Sequence, residues 1–207
     1  YKRQDGKYLT FPWDKGFTVE DMEAYYDNEG FYDYIHKLSR APILKAQHPD
    51  YEICQMGIHG QRGVSCADCH MPYKSEGGVK FSDHHIQSPL AMIDRTCQAC
   101  HRESEEILRK DVYERQNKVY AIRMRVEEEL TKAHIEAKFA WDKGATESQM
   151  KNVLKLLRQA QWRWDFAVSI HAPTRGATQI RYSSVFYNRI SSGGLPNIHS
   201  PSVGFPA

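Results

Sequence analysis

The pattern Cys-x-x-Cys-His occurs twice in this chain, as Cys66-Ala67-Asp68-Cys69-His70 and as Cys97-Gln98-Ala99-Cys100-His101. Two thiols at this spacing followed at once by an imidazole form the attachment pattern of a c-type haem. The cysteines add across the porphyrin vinyl groups and the histidine binds the iron. A zinc ribbon also uses Cys-x-x-Cys pairs, four thiolates around one tetrahedral ion, but it gives no reason for His in the fifth position both times. The repeat constrains the fold because residues 49–102 around it are dense in Gly, Pro, His and Cys and show no sustained hydrophobic period. Such a segment buries no apolar face of its own, and two haems supply the missing core.

Composition sets the remaining bounds. The chain has 207 residues, 41% of them hydrophobic, with 28 basic and 26 acidic side chains and a net charge of +2. That is enough apolar material for a core, in one or two domains. The balance carries no nucleic-acid footprint. No apolar run approaches a membrane span. Four of the five cysteines sit in the two motifs, so a disulfide framework is excluded, and Cys54 reads as a buried small hydrophobe. Covalent haem attachment is completed outside the cytoplasm, so a periplasmic protein is expected. The chain opens at Tyr1 with no signal peptide, which implies a cleaved leader or the back of a longer sequence.

A mainly α fold is expected, with a haem-packed, loop-rich region at 1–102, a long helical hairpin at 103–171 and an atypical, disordered tail at 172–207. Thr18 reads as a helix N-cap, with Glu20 and Asp21 in the first turn and an end near Gly30. A second helix is expected over 31–47, stopped by His48-Pro49. Residues 103–142 carry Ile107, Leu108, Val112, Tyr113, Val119, Ile122, Val126 and Leu130 at helical spacing. Gly144 closes that helix. Thr146 and Gln149 have the spacing of a capping box, opening a helix to about 171 whose Trp162, Trp164 and Phe166 read as core packing. The Pro- and Gly-rich remainder has no period.

A low-spin haem needs a second axial ligand, often His. His36, His48, His59, His84, His85, His134, His171 and His199 are available outside the motifs. His59 stands between Gly57 and Gly60, small neighbours that admit a flat macrocycle. His84 follows Asp83, whose carboxylate could orient a liganding imidazole. His134, mid-helix among charges, reads as structural.

Phe11-Pro12-Trp13-Asp14, Leu44-Lys45-Ala46-Gln47-His48-Pro49, Gly57-Ile58-His59-Gly60, Cys69-His70-Met71-Pro72, Asp83-His84 and Gln161-Trp162-Arg163-Trp164-Asp165 follow in order. Over residues 1–170 this series resembles the C-terminal part of the ammonia-forming cytochrome c nitrite reductases, periplasmic pentahaem enzymes. The resemblance implies that the chain holds the fourth and fifth haem motifs, and that the Cys-x-x-Cys-Lys catalytic haem lies upstream. It implies His48 as the active-site histidine, donating hydrogen bonds and protons to nitrite. Lys45, through its carbonyl, and Gln47 match ligands of a calcium ion, a hard cation that takes oxygen donors. His59 matches the distal ligand of the haem at Cys97, Cys100 and His101, and His84 that of a haem attached elsewhere. The distal ligand of the haem at Cys66, Cys69 and His70 lies in a His-Ala-Pro element. His171-Ala172-Pro173 reproduces it, though it follows Trp-Arg-Trp-Asp sooner than in the family. Tyr1 matches a tyrosine beside the active-site one and takes no role.

The resemblance further implies nitrite as substrate, a donor cytochrome or membrane quinol dehydrogenase as electron source, and a homodimer in the full-length parent. Without the catalytic haem, the 207 residues are expected to be inactive alone. A non-enzymatic dihaem electron-transfer cytochrome is the alternative; it accounts for the motifs but not for Lys45-Ala46-Gln47-His48. A non-functional remnant is a third reading, prompted by the tail.

Overall fold

Thr18 opens the first element of the computed structural model, which describes residues 11–47 and 49–170. Tyr1, His48, His171 and the 172–207 tail lie outside the described residues. The Thr18 hydroxyl accepts from the Asp21 amide at 3.1 Å while Asp21 Oδ2 accepts from the Thr18 amide at 3.4 Å. This reciprocal box starts α1, Val19–Asn28.

The helix expected over 31–47 does not form. A two-residue antiparallel pair takes its place, β1 (Tyr34–Ile35) against β2 (Pro42–Ile43), with Tyr34 opposite Ile43 and Ile35 opposite Pro42. Pro42 has no N–H for a helical ladder and disfavours a helical Ala41 before it. The turn between the strands closes through His36 N–H to the Ala41 carbonyl (2.9 Å) and Arg40 N–H to the His36 carbonyl (2.8 Å), with Arg40 at φ 62°.

The aperiodic stretch folds into short pieces: α2 (Asp50–Met56), α3 (Ile58–Gln61), α4 (Cys66–His70), a hairpin of β3 (Tyr73–Glu76) with β4 (Val79–Ser82), and single 3-10 turns at Pro89–Ala91 and Cys97–Ala99. Two long helices follow, α5 (Glu105–Asp142) and α6 (Glu147–Ile170). Gly144, at φ 86°, ends α5: its amide reaches the Trp141 carbonyl (3.0 Å) and the Ala145 amide the Ala140 carbonyl (3.0 Å). This is the bonding of a Schellman motif. Thr146 and Gln149 then cap α6 reciprocally, at 2.8 and 3.3 Å.

One core joins the early elements to α6. Met22, Tyr26, Leu44 and Ala46 pack with Trp162 and Phe166, and Trp162 Nε1 donates to the Val19 carbonyl at 2.9 Å. The aromatic cluster of α6 is core, as its spacing implied. A second cluster sets Ala41 and Ile43 against Ala137, Met150 and Leu157. Each large apolar side chain so buried contributes roughly 1.5–3 kcal/mol. The first two-thirds of α5 behave otherwise: Ile107, Tyr113, Ile122 and Val126 stay exposed.

Between the hairpin and the long helices the His36 and His134 rings stack at 3.8 Å. His134 is fully buried; its Nδ1 meets Ser39 Oγ at 2.9 Å and its Nε2 meets Gln161 Oε1 at 3.3 Å. It is a structural histidine. Burial, and secondarily its neighbour, push His36 down to about 4; burial also lowers His134. In the window between that value and the ordinary ~6.5, the unfolded chain binds more protons than the folded one. Stability is therefore full above about 6.5 and falls as pH drops towards 4. The urea midpoint should decrease between pH 7 and 4.5, and His36→Asn should decrease less; equal slopes would remove the pair as the cause.

Candidate haem-binding site

Each Cys-x-x-Cys-His motif folds as a local turn. Ser65 caps α4: its hydroxyl accepts from the Asp68 amide (3.3 Å), and Asp68 Oδ2 accepts from the Ser65 amide (2.7 Å) and hydroxyl (2.8 Å). On a capped turn, positions i, i+3 and i+4 share a face, which groups Cys66, Cys69 and His70. His70 Nδ1 lies 2.9 Å from the Gln87 carbonyl. A carbonyl only accepts, so Nδ1 carries the proton and the Nε2 lone pair is left for a metal.

The second motif hangs from a buried platform of Met92, Ile93 and Thr96. The Thr96 hydroxyl donates to the Met92 carbonyl at 2.8 Å, and Arg109 of α5 holds the Leu90 carbonyl at 2.8 Å. The Cys97–Ala99 turn ends with His101 N–H donating to the Cys97 carbonyl at 2.8 Å. Burial pushes the Cys69 thiol up, with Cys97 as the next cause, so the motifs lie within electrostatic reach of each other.

The His101 ring faces His59 with centroids 6.1 Å apart and planes at 79°. These two imidazoles, with the thiols of Cys97 and Cys100, are the groups that would hold a haem at this motif. The exposed apolar side chains of Met56, Ile58 and Ile86 in this region are of the kind a macrocycle covers.

The glycines around His59 serve the backbone. A Cβ on Gly60 would clash with the Cys54 carbonyl oxygen and lie 2.8 Å from Gln55 Cα. At Gly60 the close approach that requires glycine is that of α3 against α2. Gly60→Ala should displace α3 with His59, costing about 1–3 kcal/mol, the range for overpacking a tight contact. Thermal unfolding measures the loss, and an unchanged Tm would contradict it.

Two other sequence assignments change. Asp83 orients His85, not His84: its Oδ1 accepts from the His85 amide (3.1 Å) and meets the ring Nδ1 (3.0 Å), bonds that hold its carboxyl below the usual range. The Asp sits too close along the chain to turn back onto the adjacent ring. His84 instead places Nδ1 2.9 Å from the Ser82 carbonyl, again leaving Nε2 free. Cys54 is half-buried at the end of α2, its thiol pushed up by burial and next by Cys66, and is not a core residue.

The Lys45–Gln47 segment lies alongside α6. Leu44 and Ala46 are buried while Lys45 and Gln47 are exposed, an alternation that puts the latter two on one side. The Lys45 amide donates to Asp33 Oδ2 at 2.7 Å and the Ala46 amide to Asp165 Oδ2 at 2.6 Å. Burial pushes Asp165 up to about 6, against the Ala46 bond and Lys45, with Asp33 adding to the rise. Tyr34 is raised by burial, then by Asp165 and Asp33. Asp33 and Asp165 carried no ligand-like spacing; only the Trp-Asp pair of the 161–165 motif pointed here. Among the described residues no three His, Cys, Asp or Glu side chains are grouped to hold a metal ion. A calcium site built on a backbone carbonyl and a side-chain amide is of another kind.

The chain belongs to the cytochrome c552 family, whose pattern matches residues 1–186. Haem c, not zinc, is the cofactor such a family carries. The chain is 82% identical over 179 residues to cytochrome c-552 of Bacteroides thetaiotaomicron, covering 86% of this chain and 36% of that protein. It is 70% identical over 195 residues to the Porphyromonas gingivalis protein of the same name, covering 94% and 38%. It thus spans little more than a third of the length of these curated relatives. Among solved structures it resembles cytochrome c nitrite reductase from Desulfovibrio desulfuricans, the catalytic subunit NrfA, described with two calcium sites. That similarity has TM-score 0.70 and 33% identity, and covers 88% of this chain and 42% of that one. The mainly helical, multihaem fold expected from the sequence is the fold of this neighbour. Among the described residues no helix is long and apolar enough to cross a membrane.

Proposed function

We propose that the chain is a C-terminal piece of a periplasmic, ammonia-forming cytochrome c nitrite reductase, binding two haems as electron relays. The observation that carries this reading is His59 lying beside His101, the histidine of a Cys-x-x-Cys-His turn, with ring centroids 6.1 Å apart. Haem held by these histidines would supply one-electron transfer. His70 and His101 are the attachment ligands and His59 a distal ligand. His84, with its Nδ1 engaged, serves a haem attached outside these residues, and His171 is assigned to the haem at Cys66.

In this reading His48 donates protons to nitrite as its oxygens leave as water, and the parent reduces nitrite to ammonium. Lys45 and Gln47 bind calcium beside it. Residues 1–102 carry the site and 103–171 the supporting helices. In this reading the parent is a homodimer, and electrons come from a donor cytochrome or a membrane quinol dehydrogenase.

A haem count on the purified chain, by intact mass and pyridine haemochrome, tests the reading. Two covalent haems are expected, with no ammonium formed from nitrite and reduced viologen. Zinc in place of haem overturns both the reductase and the dihaem electron-transfer readings. Ammonium production by the isolated chain overturns the assignment of these haems as relays.

A further inference from the structure

Among the described residues the stretch that carries Lys45 and Gln47 has no regular partner strand; side chains bond its backbone. Asp165, delivered from α6 across 119 residues of sequence, accepts the Ala46 amide at 2.6 Å. Ser169, one turn further along the same helix, shares its one hydroxyl proton between the Ala46 carbonyl at 3.1 Å and the Asp165 carbonyl at 2.9 Å. One helix face thereby grips both polar groups of a single residue, the one between the two residues assigned to calcium. A third contact, the Lys45 amide on Asp33 Oδ2, fixes the preceding peptide.

We propose that Asp165 is the positioning residue of the Lys45–Gln47 segment, its carboxylate oxygen setting the Ala46 peptide so that Lys45 and Gln47 present their oxygens together. The inference rests on the calcium reading above for its ligand, but the clamp itself stands on hydrogen bonds within the chain. Asp165 needs to be an acceptor at one place; its charge is secondary. A merely electrostatic role, supplying negative charge near a cation, would ask for the opposite.

Two mild variants separate these roles in the full, haem-bearing chain. Asp165→Asn keeps an acceptor oxygen in place and removes the charge, whereas Asp165→Glu keeps the charge and moves the oxygen by one methylene. Calcium chloride titrated by calorimetry, and amide exchange over residues 44–47, are the two readouts. The expected order is Asn close to the parent in both, within ~3-fold, and Glu ~10-fold weaker for calcium and ~10-fold faster in Ala46 exchange, as a locally opened hydrogen bond exchanges. The reverse order, or no change in either variant, overturns the proposal. If the parent chain binds no calcium, the ligand reading fails by itself and the exchange order alone decides for or against the clamp.

Discussion

His59→Ala should leave the haem at Cys97, Cys100 and His101 attached but open its iron on one face. The structure supplies the reason for expecting so local an effect. His101 keeps its place through its own amide on the Cys97 carbonyl and the buried Met92–Thr96 platform. His59 arrives separately on α3, so its loss leaves the attachment turn standing. Half of the haem in the chain should become high-spin, bind carbon monoxide, and return to low spin on adding imidazole. The other haem is insulated, because His70 is fixed by Gln87 and not by His59. Exchanging an imidazole for water also weakens donation to ferric iron. A rise in that haem's reduction potential on the order of 0.1–0.2 V is expected, within the ~0.8 V that axial ligands span. His84→Ala is the control, since its haem is assigned outside this chain; its spectrum should match the parent. If His84→Ala and not His59→Ala changes the spin state, the two distal assignments are exchanged.

What the sequence revealed and what it hid follow a physical division. Caps and periodicity are local, so α1, α5, α6 and the Gly144–Gln149 turn could be read almost to the residue. Thr18, Gly144 and Thr146 each do one thing with groups three or four positions away. The Cys-x-x-Cys-His turns were legible for the same reason. The 31–47 segment departs from the expected helix because its conformation is set from outside it. Pro42, the left-handed Arg40 and distant partners on α5 and α6 decide it, and its apolar residues suit either period. Asp33 and Asp165 stayed invisible as site residues because their partners are backbone amides, which leave no mark in a sequence. The closeness of Gly60 to the Cys54 backbone has no mark in the sequence, because it depends on how α3 meets α2.

The same segment yields the largest expected stability effect. Arg158 of α6 is buried, and its guanidinium distributes its donors over three elements. Nε reaches Asp27 Oδ1 at 3.0 Å, Nη1 the Pro42 carbonyl at 2.9 Å, and Nη2 the Phe31 carbonyl at 2.8 Å. It joins the end of α1, the following loop and β2 to one point on a long helix. Arg158→Met keeps much of the stem's packing and removes the donors to both carbonyls and the carboxylate together. A broken buried pair costs about 3–5 kcal/mol. Asp27 is half-exposed and can rehydrate, so a loss near ~3 kcal/mol is expected from the carbonyls and the residual pair. That is a large fraction of the roughly 5–15 kcal/mol by which such chains are stable. At about 2–4 °C per kcal/mol for this chain size, Tm should fall by roughly 6–12 °C. Arg158→Lys should not restore it, because a single ammonium cannot reach three acceptors set around a planar fork. Lys132→Ala, which breaks an exposed pair with Glu129, should leave Tm unmoved. Because β2 leads directly into Leu44 and Lys45, the Met variant should also speed amide exchange over 41–47 before it affects the core of α6. Rescue by Lys, or a Tm loss no greater than that of Lys132→Ala, would show that the three-way junction does not hold the hairpin in place.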